Sequence, residues 1–208
     1  MSIGFFIRQM LGPFEKPISD LYRSIFIDIT ALVSQIKHWS PASNILEVGC
    51  GEGAVTEHLV MAYPNVYITG IDITSRIGRM FRGDTSRVTF SQQTIKDFVA
   101  ENPSSFDLLL ISDVIHHVPP EMHKEFLTEA RNALKPRGYL VLKDWERSAT
   151  PIHLLAYLLD RYITGDHVQY KTANEFRELI RDVFGETSIK DETRIRPWSN
   201  NIAFLIQV

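Results

Sequence analysis

Asn44-Ile45-Leu46-Glu47-Val48-Gly49-Cys50-Gly51-Glu52-Gly53, with Ala54-Val55-Thr56-Glu57-His58-Leu59-Val60 directly behind it, decides the fold. An apolar run that breaks into alternating glycines and resumes with a helical pattern spells a strand, a tight loop and a helix start. Glycine is what such a loop needs if its backbone must pass close to a ligand with no Cβ in the way. A second apolar run ends at Gly70-Ile71-Asp72, which puts Asp72 21 positions after Gly51. A nucleotide-binding α/β unit places at about that spacing the carboxylate that accepts hydrogen bonds from ribose hydroxyls.

Outward from this centre, short apolar runs alternate with helical stretches: Ile45 to Val48, Val66 to Ile71, Val88 to Phe90, Phe106 to Ile111 and Tyr139 to Leu142. That alternation predicts an α/β fold with parallel strands and crossover helices. The helix from Glu121 to Leu134 is expected to stop at Lys135-Pro136-Arg137-Gly138. Upstream, Leu21, Tyr22, Ile25, Phe26, Ile29, Leu32, Val33 and Ile36 recur at three- and four-residue steps, so one amphipathic helix is expected from Ser19 to Lys37, with Ser19 as its N-cap. Downstream, Ile152 to Ile163 and Ala173 to Phe184 read as helices, and Thr187 to Ile195 and Asn201 to Val208 as strands. The short join Arg196-Pro197-Trp198-Ser199-Asn200 makes those last two strands antiparallel. The expected organisation is one domain over 1–208: a helical cap over 1–40, a ligand-binding core over 41–145, and substrate-side helices with a terminal hairpin over 146–208.

A chain of 208 residues can bury a self-sufficient core. Its 22 Lys+Arg against 25 Asp+Glu give a net charge of −3, without the basic face that nucleic-acid binders usually carry, so no nucleic-acid partner is expected. The single cysteine, Cys50, rules out an intrachain disulfide and fits a reducing cytoplasm. Inside the glycine loop it reads as a small residue that fits a tight turn, in preference to a nucleophile. The start, Met1 to Arg8, is apolar but interrupted by Arg8 and lacks a small-residue cleavage site, so it does not read as a signal peptide. No stretch approaches the ~20 apolar residues of a membrane span, so a soluble, cytoplasmic protein without stable membrane insertion is expected. The oligomeric state is not legible.

The glycine order separates cofactors. A dinucleotide site wants G-x-G-x-x-G, whereas here the order is G-x-G-x-G with Glu47 two residues ahead. This resembles motif I of the class I S-adenosylmethionine (AdoMet) methyltransferases, and in particular the small-molecule enzymes related to ubiquinone and menaquinone methylation. AdoMet carries no phosphate, and Glu52 would be a poor neighbour for a pyrophosphate at a helix N-terminus. Two further segments carry the resemblance. Asp72 with Ile73 looks like the acidic end of the second strand, and Phe106-Asp107-Leu108-Leu109-Leu110-Ile111-Ser112-Asp113-Val114-Ile115-His116-His117-Val118 looks like motif IV. The resemblance implies a Rossmann-like methyltransferase fold, with a mostly parallel seven-stranded sheet, an antiparallel C-terminal hairpin and helices on both faces. It implies AdoMet as cofactor, with Glu47, Gly49, Cys50, Gly51 and Gly53 around the methionine half, Asp72 and Ile73 at the ribose, and Ser112 and Asp113 on the cofactor side of the fourth strand. The family often has an aspartate after its third strand for the adenine amino group, where this chain has Gln93-Thr94-Ile95. The Thr94 hydroxyl or the Ile95 backbone takes that role here, with Asp97 as a substitute.

Methyl transfer is an in-line displacement that chiefly needs alignment and exclusion of water. A hydroxyl acceptor also needs a base, and a histidine suits that task near neutral pH. His116 and His117 follow a strand end at the carboxyl edge of the sheet, which makes them the candidate catalytic residues; the plainer alternative is that they cap the loop or pack against cofactor. Asp113 and Asp144 could hold Mg²⁺ as in the catechol type, but that type shows an aspartate-asparagine pair where this chain has Lys143 and Trp145 beside Asp144, so no metal is expected. The acceptor site should draw on the N-terminal region and on the segment containing His153, Tyr157, His167 and Tyr170 among Leu154, Leu155, Leu158 and Leu159. This predicts a small, apolar or aromatic, even lipid-like acceptor methylated at oxygen in preference to carbon or nitrogen. Phe5, Phe6, Ile7, Met10 and Leu11 would form a lid over it or rest on a membrane surface. Two other functions remain open at this point: a nicotinamide-dependent oxidoreductase on a similar fold, and a non-catalytic or regulatory AdoMet-binding protein.

Overall fold

A computed structural model describes residues 15–159, 161 and 168–208. The expectations for Phe5 to Leu11 and for His167 lie outside the described residues. The described residues open with helices α1 (Glu15–Phe26) and α2 (Ile29–Trp39) where the apolar period predicted a single helix from Ser19. The interruption is Asp28, whose extended backbone (φ −87°, ψ 93°) takes the N-cap of α2 and whose carboxylate accepts the Ala31 N–H at 2.8 Å. The cap satisfies an orphan donor of the new helix and so starts α2 as a separate element. Ser19 lies inside α1, not at its N-cap, and Pro17 also lies within the helix.

The strands are β1 (Asn44–Val48), β2 (Tyr67–Asp72), β3 (Val88–Gln92), β4 (Phe106–Ser112), β5 (Leu134–Trp145), β6 (Ile189–Arg194) and β7 (Asn201–Gln207). Between them run α3 (Ala54–Ala62), α4 (Ile95–Glu101), α5 (His123–Ala133), α6 (Pro151–Leu159) and α7 (Ala173–Phe184). One seven-stranded sheet has the order β3-β2-β1-β4-β5-β7-β6, parallel throughout except for β7, which is antiparallel to both of its neighbours. Lys135 to Gly138 were expected to separate the helix from the next strand; instead they lie within β5. Leu134 already pairs with Phe106, and the register shifts before Leu108 meets Tyr139, so the Pro-Arg-Gly turn is absorbed as an irregularity of the ladder.

Helices cover both faces. On one, α4, α5 and α7 bury Phe98, Leu127 and Phe176 against Leu109 and Ile111; on the other, α2 and α3 bury Leu32, Ile36 and Leu59 against Leu108 and Leu110. Burial on both faces explains why β4 reads as an unbroken apolar run. Deleting any one of these side chains would cost about 2–5 kcal/mol. The strand order reverses between β1 and β4, and at such a switch point the carboxyl ends of the strands open a crevice for ligands. No helix among the described residues is long and apolar enough to cross a membrane.

Candidate active site

The loop after β1 lies at that crevice. Gly49, Gly51 and Gly53 all have positive φ (76°, 52° and 91°). At Gly49 a Cβ would fall 2.3 Å from Val114 Cγ2, so glycine is required for packing against the loop after β4. At Gly51 a Cβ would meet nothing within 4 Å: its open side is part of a cavity wall. The loop is tied to the tip of β2, where the Ile71 carbonyl accepts the Gly49 and Cys50 N–H groups. Asp72 completes the tie, one carboxylate oxygen accepting the Gly51 N–H and the other the Thr74 N–H, each at 2.8 Å. The 21-residue spacing read from the sequence is thus a direct contact.

Glu47 is buried under this loop and accepts the Thr56 hydroxyl at 2.6 Å. Burial pushes its carboxyl up to about 8, the Thr56 bond opposing and the charge of Asp72 adding to the rise. Cys50 is also buried, and burial with the nearby Glu47 and Asp72 raises its thiol far from the thiolate range, so it is an inert packing residue.

The ends of β4 and β5 supply the second half. Asp113 adopts a left-handed backbone (φ 57°), and both its oxygens accept from the Lys143 ammonium, at 2.6 and 2.7 Å. Ser112 donates to Asp113 at 3.2 Å. One turn on, His116 is buried with Nδ1 2.5 Å from Asp144 Oδ1, while its backbone N–H donates to Asp144 Oδ2 at 3.3 Å. Burial pushes the Asp144 carboxyl up, but His116, the Trp145 N–H and Lys143 outweigh it and hold the group below the usual carboxylate range. An anion on Nδ1 fixes the proton there and leaves Nε2 as the basic nitrogen. Tyr170 stacks on the His116 ring at 4.9 Å, and His117 lies 4.1 Å away on its other neighbour contact. His123 steadies the turn by donating from Nε2 to the Ile115 and Val118 carbonyls, and burial lowers its pKa and keeps it neutral.

These parts meet in a cavity of about 400 Å³. Glu47, Gly49, Cys50, Gly51, Ser112, Asp113, His116 and His117 all lie on its wall; Gly53, Asp72, Ile73, Thr94 and Ile95 do not. Gly53 instead packs against Phe81 and Phe90. Ile73 is exposed beyond the β2 tip, and Ile95 is buried in the core. The Thr94 hydroxyl caps α4, donating to Asp97 Oδ2 at 2.6 Å and accepting the Asp97 N–H, so it is committed within its own turn. Next to it the Gln93 side-chain oxygen is buried with no partner among the described residues, an acceptor that the sequence did not single out. Trp145 and Tyr170 join the wall, as do Ser19, Arg23 and Phe26 of α1. Helix α1 is held over the loop by Glu15 on Arg76 and Arg79, the same arginines that reach Glu52, and by Lys16 on Glu57.

Asp113, His116 and Asp144 have ligand atoms within 4.8 Å of one another, the spacing of a metal cluster. Both Asp113 oxygens are taken up by the Lys143 ammonium and both Asp144 oxygens by His116 and Trp145, so the positive charge among these carboxylates is supplied by the protein itself. A wider groove, about 880 Å³, lies at the opposite edge of the sheet near Pro103 and Arg137, far from these groups.

A sequence profile described as "Methyltransferase domain" matches residues 45–138. A ubiquinone biosynthesis O-methyltransferase of Xanthomonas campestris pv. campestris is 30% identical over 112 residues, which are 52% of this chain and 45% of that protein, so the match spans about half the relative's length. The protein of the same name from Rickettsia bellii is 28% identical over 176 residues, 78% of this chain and 70% of the relative. Among solved structures, 1,6-didemethyltoxoflavin-N1-methyltransferase of Burkholderia thailandensis, with S-adenosylhomocysteine bound, superposes with a TM-score of 0.65 at 17% identity, over 97% of this chain and 86% of the other.

Proposed function

We propose, for a chain that belongs to the class I S-adenosylmethionine-dependent methyltransferases, that it moves a methyl group to the oxygen of a small aromatic acceptor held against the His116–Asp144 pair. The cofactor of the family fits the residues present: the Cβ of any residue but glycine at position 51 would enter the open space at the cavity wall. Glu47, Gly49, Cys50 and Gly51 would hold the methionine half, Asp72 and Ile73 the ribose, and Gln93 with Thr94 and Ile95 the adenine end. Bound AdoMet supplies a methyl carbon made electrophilic by its sulfonium.

The chain's own residues do the rest. His116 Nε2 takes the proton of the acceptor hydroxyl while Asp144 holds the tautomer and stabilises the imidazolium. His117, Trp145, Tyr170 and Phe26 give the cavity aromatic walls suited to a flat ring, and α1 closes it against water. Helix α1 with Ser19, Arg23 and Phe26, together with Ala156 of α6 and Tyr170, forms the acceptor side. Support for oxygen comes from the O-methyltransferase names of the relatives and, above all, from the buried histidine-carboxylate pair opening onto the cavity that the glycine loop borders.

The test is incubation of the purified chain with methyl-labelled AdoMet and separate panels of phenols, anilines and thiophenols, followed by mass spectrometry. Label in phenol ethers is expected. Label confined to nitrogen or sulfur would overturn the oxygen assignment, and saturable AdoMet binding without transfer to any panel would overturn the catalytic one.

A further inference from the structure

Three buried side-chain atoms among the described residues have no hydrogen-bond partner there, and one of them, Asn201 Oδ1, belongs to a residue of the active-site cavity wall. Buried polar groups in folded chains are nearly always paired, because an unpaired one keeps the cost of leaving water and recovers nothing. Asn201 is fully buried, and its other polar groups are bonded. Its backbone N–H donates to the Trp198 carbonyl, and its own carbonyl accepts the Ile195 N–H. The side-chain Nδ2 donates to the Phe26 carbonyl at 2.6 Å. A carbonyl only accepts, so this bond fixes the orientation of the amide and makes the unpartnered atom its oxygen.

Asn201 opens β7 opposite Trp145, which puts it at the carboxyl edge of the parallel strands, where the cavity lies. Along that edge the glycine loop follows β1, His116 follows β4, Asp144 lies near the end of β5, and Asn201 comes next on β7. Two strand spacings, about 10 Å, separate β4 from β7, on the side away from the loop assigned to AdoMet. A ring whose hydroxyl reacts at His116 therefore extends toward Asn201. We propose that Asn201 Oδ1 is a specificity-determining acceptor: the molecule that is methylated carries, on the far side from its reacting hydroxyl, a second O–H or N–H group that donates to it. The inference rests on the methyltransferase reading of this cavity. It adds a polar anchor to walls that are otherwise aromatic at this end, with Phe26, Trp145 and Tyr170 around it.

The probes are resorcinol and hydroquinone, kept reduced, against 3-methylphenol and 4-methylphenol, each titrated calorimetrically into protein saturated with S-adenosylhomocysteine. The methylphenols are the more apolar, so an apolar wall alone would favour them. A site built to hydrogen-bond a hydroxyl rejects the analogue lacking it, because its buried polar group is left unpaired; at least one diol should therefore bind the wild type about tenfold or more tighter than the methylphenol of the same geometry. In Asn201→Leu the two members of that pair should bind within about threefold of each other, the loss falling on the diol. A residue with only a structural role, holding Phe26 in place, would weaken all four probes alike and leave the wild-type ratio unchanged, which would overturn the contact. So would a wild type indifferent to the second hydroxyl, since water would then be what meets Oδ1, or one that binds none of the probes at millimolar concentration. If Asn201→Leu does not fold, the wild-type ratio decides alone. Titration of S-adenosylhomocysteine by itself separates the two levels: absence of binding by the wild type would refute the AdoMet reading, whereas intact binding with no preference for the diols would refute only the Asn201 contact.

Discussion

Asp144 holds His116 twice, Oδ1 on the ring Nδ1 at 2.5 Å and Oδ2 on the backbone N–H at 3.3 Å. One buried carboxylate therefore fixes the tautomer, the ring direction and the turn that carries it. If this pair is the general base, His116→Gln should lower kcat for a phenol acceptor by about 10²–10⁴. Asp144→Asn should lower it by a similar order, while affinity for S-adenosylhomocysteine stays within a few-fold for both. Single-turnover rates read beside calorimetry check this, and a wild-type rate in His116→Gln would remove it from the chemistry.

Glu47 gives a pH dependence of stability with a definite sign. Its carboxyl titrates at about 8 in the folded chain against 4.5 ordinarily, because of burial, with the Thr56 bond opposing and Asp72 reinforcing. The folded chain keeps a proton that the unfolded chain releases, so this contribution is fully present below about pH 4.5 and is lost as pH rises through about 8. The expected loss is on the order of a few kcal/mol. Melting temperatures from pH 5 to 8 should fall more steeply for the wild type than for Glu47→Gln. Parallel curves would contradict the assignment.

Asp72→Ala removes the acceptor for the Gly51 and Thr74 N–H groups and the acid assigned to the ribose. Affinity for S-adenosylhomocysteine should weaken by about 1.5–3 kcal/mol, the range for hydrogen bonds to a charged group. Asp72→Asn, which keeps one acceptor, should lose less. Unchanged affinity in Asp72→Ala would take the residue out of the site.

What was legible in the sequence was local. The glycine loop, the Asp72 spacing and the helix Ala173–Phe184, whose Thr172 and Glu175 form a capping box, are written within a few residues or one βα unit. The break at Asp28 was hidden because the apolar period runs straight through it, and only the cap distinguishes two helices from one. At Lys135 to Gly138 the punctuation was genuine, but pairing of Leu134 with Phe106 overrode it. Pairings across strands were not legible at all: Lys143 meets Asp113, and Asp144 meets His116, only because β4 and β5 end side by side. Asp144 is legible as a carboxylate at the right edge, yet nothing local assigns it to a histidine in place of a metal. Ser19 and Arg23 of α1 line the cavity, a placement that depends on tertiary packing and is likewise out of view in the sequence.

The central claim, that the bare backbone at Gly51 borders the place where the donor binds, is tested by titrating S-adenosylhomocysteine calorimetrically into the wild type and into Gly51→Asn. Asparagine tolerates the positive φ of 52° found there, so the loop can keep its shape while a side chain fills the open wall. The account predicts saturable binding to the wild type and about a hundredfold loss, ~2.7 kcal/mol, in a variant with a nearly unchanged melting temperature. Equal affinity for both proteins, or no heat from the wild type at millimolar ligand, would contradict it.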